Sequence, residues 1–195
     1  QHYLICNYFS KAQEFAKIYK HYSTNPYDYE LFCFQRWFVV DEFINSEGLD
    51  KFLHIDSDVL LYADFSKELE FIDFINNYDL TYSHVSAHTS FFNSRRALCE
   101  FCNFIFEIFS DDSFVAQFEK SPDNDKIYFK QGSFELDTTK PLSDMTLVYF
   151  FTKLNRLKCL DFTKVDFQKG CINLNFSSNS MQCSSFGNIC YTVFD

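Results

Sequence analysis

Residues 52–62, FLHIDSDVLLY, place two carboxylates, Asp56 and Asp58, one residue apart between apolar runs. Phe52–Ile55 has the length and hydrophobicity of a strand, and Asp56 opens the loop that leaves it. One account of such a pair is a solvated turn in which one Asp caps the next segment. That account leaves Val59-Leu60-Leu61, which follows at once, unexplained. The other account is a cation site. Mg²⁺ and Mn²⁺ prefer oxygen ligands and are commonly held by one or two carboxylates plus phosphate oxygens. A cation held there neutralises charge on a departing diphosphate.

Working outward from this stretch, helices and strands alternate. Tyr3–Tyr8 reads as a short buried strand. Ser10-Lys-Ala-Gln13 has the form of a capping box, and Phe15, Ile18, Tyr19 and Tyr22 follow at helical spacing. Asn25-Pro26 signals a turn, and Glu30–Ile44 predicts a helix with Phe34, Trp37, Phe38 and Phe43 among its apolar positions, ended by Gly48. Beyond the acidic pair, Lys67–Asn76 predicts a helix and Leu80–His84 a strand. A strong amphipathic helix follows Asn93, with Leu98, Phe101, Cys102, Ile105, Phe106 and Phe109 on one face. Residues 110–126 are polar. Ser143 is placed to cap a further helix with Leu147, Phe150, Phe151 and Leu154 facing inward, and Leu157–Leu160 predicts a strand. Residues 163–195 predict irregular strands with Asn/Ser-rich turns. There is no internal repeat and no linker, so residues 1–195 are expected to be a single domain. The expected class is α/β, a mostly parallel sheet flanked by helices, in which ligands bind beyond the carboxyl ends of strands. Asp56 and Asp58 occupy that position.

The 195 residues carry a net charge of −10 and a pI near 4.9. That balance disfavours a nucleic-acid partner, whose phosphates need a basic surface, and an anionic membrane surface. It suits a chain that recruits a divalent cation and, through it, an anionic substrate. Core material is unusual: 27 Phe and 12 Tyr against 4 Gly. The eight Cys lack the spacing of a disulfide framework, and several lie in apolar runs where a thiol acts as a small hydrophobe. Cys99 and Cys102 form a CxxC inside a helical pattern with no second pair at zinc spacing, which favours packing over metal. No apolar run approaches the ~20 residues of a membrane span. A cytoplasmic protein with reduced thiols, free or peripheral to a membrane, is expected.

HIDSDVLLYADF (54–65) resembles the Asp-x-Asp segment of GT-A-fold glycosyltransferases, which transfer sugar from a nucleotide-sugar donor. Three further stretches resemble segments of bacterial nucleotide-diphospho-sugar transferases in the same order: FCFQRWFVVDEFI (32–44), HTSFFNSRRALCEFC (88–102) and PLSDMTLVYFF (141–151). The resemblance covers about residues 3–162. It implies a GT-A-like fold, a nucleoside-diphosphate sugar donor, a hydroxyl acceptor on a glycan, lipid or protein, and Mn²⁺ or Mg²⁺ as cofactor. It also implies roles. Asp58 would be the principal metal ligand, and Asp56 would help hold the metal and contact the donor. Asn93 would bond sugar hydroxyls. Asp144 would be the general base toward the acceptor, or a group that orients it. Arg36 would bind diphosphate.

Each role has a structural counterpart. Asp144 sits at a helix start, where the dipole stabilises an anion. Asn93 is placed to cap the helix after it. Arg36 could pair with Asp41 or Asp56. His84 and His88 stand near a strand end, as pocket lining or as structural residues. The resemblance is incomplete: little of the usual nucleotide-binding start precedes Gln1, and the late His that many such enzymes supply is missing after His88. A chain incomplete at both termini is therefore expected. Two other functions compete. One is a non-catalytic sugar-nucleotide- or partner-binding module on the same fold. The other is a haloacid-dehalogenase-like phosphatase, which also uses Asp-x-Asp but on its first strand and with a later acidic pair.

Overall fold

In the computed structural model, the described residues are 3–23, 25–57, 73–82, 87–111, 118–120, 127–129, 142–161, 166–167, 170–171, 183–186 and 189–192. Asp58 and His84, and all but the last turn of the helix expected at Lys67–Asn76, lie outside them. The chain separates into two compact units: residues 1–49 with 98–151, and residues 50–97 with 152–195.

The first unit is organised by a 20-residue helix, α2 (Tyr27–Ser46), preceded by α1 (Ser10–Ala16). Helix α2 starts three residues earlier than its pattern suggests. Pro26 stands at the cap position with φ −55°, and Asp28 and Glu30 in the first turn favour the positive end of the helix dipole. The helix ends as Gly48 predicts. Leu49 N donates to Ile44 O at 2.9 Å and Gly48 N to Asn45 O at 3.4 Å, a Schellman pattern that requires the positive φ of 65° at Gly48. Phe34 and Trp37 are fully buried, and Phe38 nearly so. Phe15 of α1 stacks on Phe38 at 4.9 Å between ring centroids and meets Phe109 edge-on at 5.2 Å. Such pairs contribute about 0.5–1.5 kcal/mol each beyond burial, so aromatic contacts add to the aliphatic packing of Ile44, Leu98, Ile105 and Leu147.

Two expectations for the N-terminal segment are corrected. Ile5–Tyr8 is a 3₁₀ turn, not a buried strand, and none of its residues is buried. Its aromatics instead lie over the end of α2: Tyr3 and Tyr8 donate to the Glu47 carboxylate at 3.3 and 3.2 Å and pack edge-on against Phe43. The Ser10–Gln13 capping box does not form. Helix α1 already begins at Ser10, and the Glu42 carboxylate of α2 accepts from the backbone N–H groups of Ser10 and Lys11. A carboxylate supplied by tertiary packing takes the place of a local cap.

Helix α3 (Arg95–Ser110) carries the expected face, with Leu98, Phe101, Cys102, Ile105 and Phe109 buried; Phe106 lies at its rim, 36% exposed. Helix α4 (Asp144–Lys153) buries Leu147, Phe150 and Phe151, while Leu154 falls past its end and is exposed. Ser143 caps α4, its Oγ accepting from Thr146 N at 3.3 Å.

The second unit holds a four-stranded sheet of β1 (Phe52–Ile55), β2 (Leu80–Tyr82), β3 (Thr89–Phe92) and β6 (Cys159–Asp161), in the order β1-β3-β2-β6. The expectation of a mostly parallel sheet is corrected to a mixed one. β3 is antiparallel to both β1 and β2, and only β2 and β6 pair in parallel. The six residues between Tyr82 and Thr89 are too few for a parallel crossover, which needs about a dozen, so β3 must reverse. Its reversal leaves β1, β2 and β6 running the same way, so their carboxyl ends share one end of the sheet. Asp79 clamps the opposite end: its N–H donates to Lys158 O and its carboxylate accepts from Lys158 N, both at 2.8 Å. Phe52 and Phe92 stack at 4.8 Å with planes 6° apart. Two-stranded ribbons β4/β5 (Phe118–Lys120, Ile127–Phe129), β7/β8 (Asp166–Phe167, Gly170–Cys171) and β9/β10 (Cys183–Phe186, Ile189–Thr192) complete the described elements. Among the described residues no helix is long and apolar enough to cross a membrane.

Candidate functional site

Asp56 leaves the carboxyl end of β1, as its sequence position predicts. Its backbone is held across the sheet: Asp56 N donates to His88 O at 2.8 Å. The β1/β3 register, with Ile55 opposite Thr89, therefore continues one step further and sets Asp56 opposite His88. Directly opposed residues of an antiparallel pair project to the same face with Cβ atoms about 5 Å apart. His54, two residues back on β1, shares that face. Its Nδ1 lies 3.0 Å from the Ala87 carbonyl oxygen, which also accepts from Ser90 Oγ at 3.2 Å. His88 Nδ1 lies 3.1 Å from Thr89 Oγ1.

The same sheet end bears a second carboxylate that sequence reasoning missed. Asp161 closes β6 opposite Tyr82 and is buried. The signal was present: Cys159-Leu160-Asp161 is another short apolar run ending in Asp. Among the described strands β1 and β6 are the outer two of this sheet, three strand spacings apart, so Asp56 and Asp161 flank a strip about 14 Å wide. This end meets the general condition for a ligand site in α/β proteins, with carboxylates at the carboxyl ends of strands that share a direction. Its donors, carboxylate and imidazole, are ones a divalent cation accepts. Among the described residues no group of three or more His, Cys, Asp or Glu side chains could hold a metal ion. A cation there would need oxygens from a phosphate or from residues outside the described set, in the manner of Mg²⁺ and Mn²⁺.

Asn93 is not part of this sheet end. It follows Phe92, which pairs with Phe52 at the start of β1. Asp56 lies four residues along the same ladder, about 13 Å away at 3.3 Å per residue. Asn93 does not cap α3 either. Its Nδ2 donates at 2.7 Å to both Ile75 O and Tyr78 O, closing the turn that leads into β2, while Ser94 Oγ accepts from Ala97 N at 3.3 Å.

Arg36 and Asp144 belong to the first unit, and there they meet. Arg36 Nη2 donates to Asp144 Oδ2 at 2.6 Å, and Trp37 Nε1 donates to the same oxygen at 3.1 Å. Met145 N donates to Oδ1 at 2.9 Å. Arg36 thus pairs with Asp144 rather than with Asp41, which pairs with Lys11. The Asp144 carboxylate is buried, with three N–H donors on the roughly four lone-pair positions a carboxylate offers. Cys33 and Tyr29 lie in the field of this pair. Burial pushes the Cys33 thiol up to about 11, with the Asp144 charge adding to the rise and the Arg36 charge opposing it. The CxxC holds no paired thiols. Cys99 is exposed, and Cys102 is buried and pushed well up by burial. No protein-family model, no curated protein and no solved structure matches the chain.

Proposed function

We propose that the chain is a metal-dependent glycosyltransferase that moves a sugar from a nucleoside-diphosphate sugar to a hydroxyl acceptor. The observation that carries this reading is the position of Asp56, a carboxylate leaving an apolar strand at the sheet end where three strands share their carboxyl termini. The four ordered resemblances supply the reaction class. Asp56 and Asp58 hold Mn²⁺ or Mg²⁺ against the diphosphate, and the cation supplies neutralisation of the leaving group. By resemblance alone, Asp144 is assigned to the acceptor side, as general base or as a group that orients the hydroxyl. Arg36, Trp37 and Met145 occupy three of the roughly four lone-pair positions of its carboxylate. Arg36 serves by fixing Asp144, so a diphosphate contact from Arg36 is not proposed. Asn93 holds a turn through its Nδ2, and no donor contact is proposed for it.

Calorimetric titration of UDP and GDP, with and without Mn²⁺, into the chain and into Asp58→Ala tests this reading. Metal-dependent binding to the parent chain that disappears in the variant is expected. Equal binding by both, or by neither, would overturn it. A binding module without catalysis is separated by adding nucleotide-sugars with hydroxyl acceptors and following nucleoside diphosphate release.

A further inference from the structure

We propose that Cys99 and Cys102 form a reversible redox pair, in which a hydroperoxide oxidises Cys99 and Cys102 then closes a disulfide within helix α3. The reaction needs neither the cation nor the nucleotide proposed at Asp56.

Three observations carry it. First, both residues lie inside α3, three positions apart. Helical rise and radius set such Cα atoms about 5 Å apart and their side chains on one face. That separation falls inside the ~4.4–6.8 Å that disulfides span. Second, access is unequal. Cys99 is exposed and meets a solute directly, whereas Cys102 is buried one turn behind it. Third, the surroundings are polar. Asn103 Nδ2 donates to Cys99 Sγ at 3.8 Å. The half-exposed Lys11 ammonium, paired with Asp41, acts electrostatically on both sulfurs. An accessible sulfur near a cation is the setting in which thiols react. Burial pushes the Cys102 thiol well up, with the Asp41 charge adding to the rise and Lys11 opposing it. Cys102 therefore keeps its proton, and the first oxidation falls to Cys99.

The Cys99 sulfur attacks one oxygen of the hydroperoxide and breaks the O–O bond. The departing alkoxide takes the thiol proton and leaves as alcohol, or as water from hydrogen peroxide, and Cys99 becomes a sulfenic acid. The Cys102 sulfur then displaces hydroxide from the sulfenic sulfur, and that hydroxide takes the Cys102 proton and leaves as water. Two thiols are oxidised to one disulfide while one O–O bond is reduced. Closure needs Cβ atoms about 4 Å apart, against about 5–6 Å between helical neighbours, so one turn of α3 must tighten and a thiol reductant reopens the bridge readily. While closed, the bridge shields Cys99 from irreversible oxidation to sulfinic acid.

The test treats the full, reduced 195-residue chain with hydrogen peroxide, quenches with an alkylating agent and maps peptides by mass spectrometry without reduction. The peptide holding Cys99 and Cys102 should lose two hydrogens, escape alkylation at both sulfurs and recover both thiols in dithiothreitol. In Cys102→Ser, dimedone should trap Cys99 as its sulfenic acid. In Cys99→Ser, oxidation of Cys102 should slow at least about tenfold. A parent chain in which both thiols remain open to alkylation would overturn the inference. So would Cys99 passing to sulfinic acid while Cys102 stays a thiol, or Cys102 oxidised at an unchanged rate in Cys99→Ser. The peptide map of the parent chain decides the question even if a variant fails to fold.

Discussion

Replacing Asp144 by Ala removes three hydrogen bonds at one point, and the consequence can be worked out bond by bond. The Arg36 pair joins a buried carboxylate to a guanidinium whose side chain is 27% exposed, so solvent recovers part of its loss and about 1 kcal/mol is expected from it. Trp37 is fully buried, and its indole N–H would lose this acceptor, at a cost of about 2 kcal/mol. Loss of the carboxylate at the first residue of α4 removes a favourable dipole interaction of about 0.5 kcal/mol. The sum is about 3.5 kcal/mol, or a fall in Tm of about 7–14 °C for a protein of this size. Asp144→Asn keeps an oxygen acceptor for Trp37 and should lose only about 1 kcal/mol. Trp37 is the sole tryptophan, so urea unfolding followed by its fluorescence reports on the unit that contains it. An Ala variant within about 0.5 kcal/mol of the parent, at unchanged urea dependence, would refute the view that Asp144 pins α2 to α4.

Further outcomes are expected elsewhere. Gly48→Ala should cost about 1 kcal/mol by thermal unfolding. The φ of 65° is unfavourable for any side chain, although a Cβ there would meet nothing within 4 Å. Asn93→Ala should destabilise the second unit by about 1–2 kcal/mol in hydrogen exchange around Ile75–Tyr78, while leaving nucleotide affinity unchanged. Alkylation at pH 8 followed by mass spectrometry should label the exposed Cys6 and Cys99 first. Cys33, Cys102 and Cys159 should lag, because burial pushes Cys33 to about 11, Cys159 to about 12 and Cys102 well up. The same shifts set an alkaline limit. These thiols keep their protons in the fold but lose them near pH 9 when unfolded, so their contribution to stability is intact below pH 9 and is lost as pH rises through about 11 to 12. A denaturation series from pH 8 to 12 that shows no loss would refute this.

Where a feature depends on residues within one or two turns of each other, the sequence was enough. The inward face of α3, the Ser143 cap of α4, the Gly48 stop of α2 and the short strand ending at Asp56 all follow from local spacing and backbone preference. Where a feature depends on which distant segment arrives, local rules misled. The Ser10 capping box gave way to Glu42, which lies 31 positions from Lys11 and arrives with α2. The strand expected at Tyr3–Tyr8 became a 3₁₀ turn because Glu47 and Phe43 gave its tyrosines better partners than a sheet edge would. Arg36 chose Asp144, 108 positions away, over the near Asp41 that Lys11 had taken.

The candidate site divides along the same line. That Asp56 ends a strand was legible, because hydrophobic runs and the carboxylates that stop them are written in consecutive residues. That His88 stands opposite it, that Asp161 shares its sheet end and that Asn93 lies at the other were not. Those relations depend on strand order and direction, set by the short link that forces β3 to reverse and by the packing of Phe52 on Phe92. Strand pairing joins residues with no fixed separation in sequence, and one change of direction moves a side chain from one end of a sheet to the other.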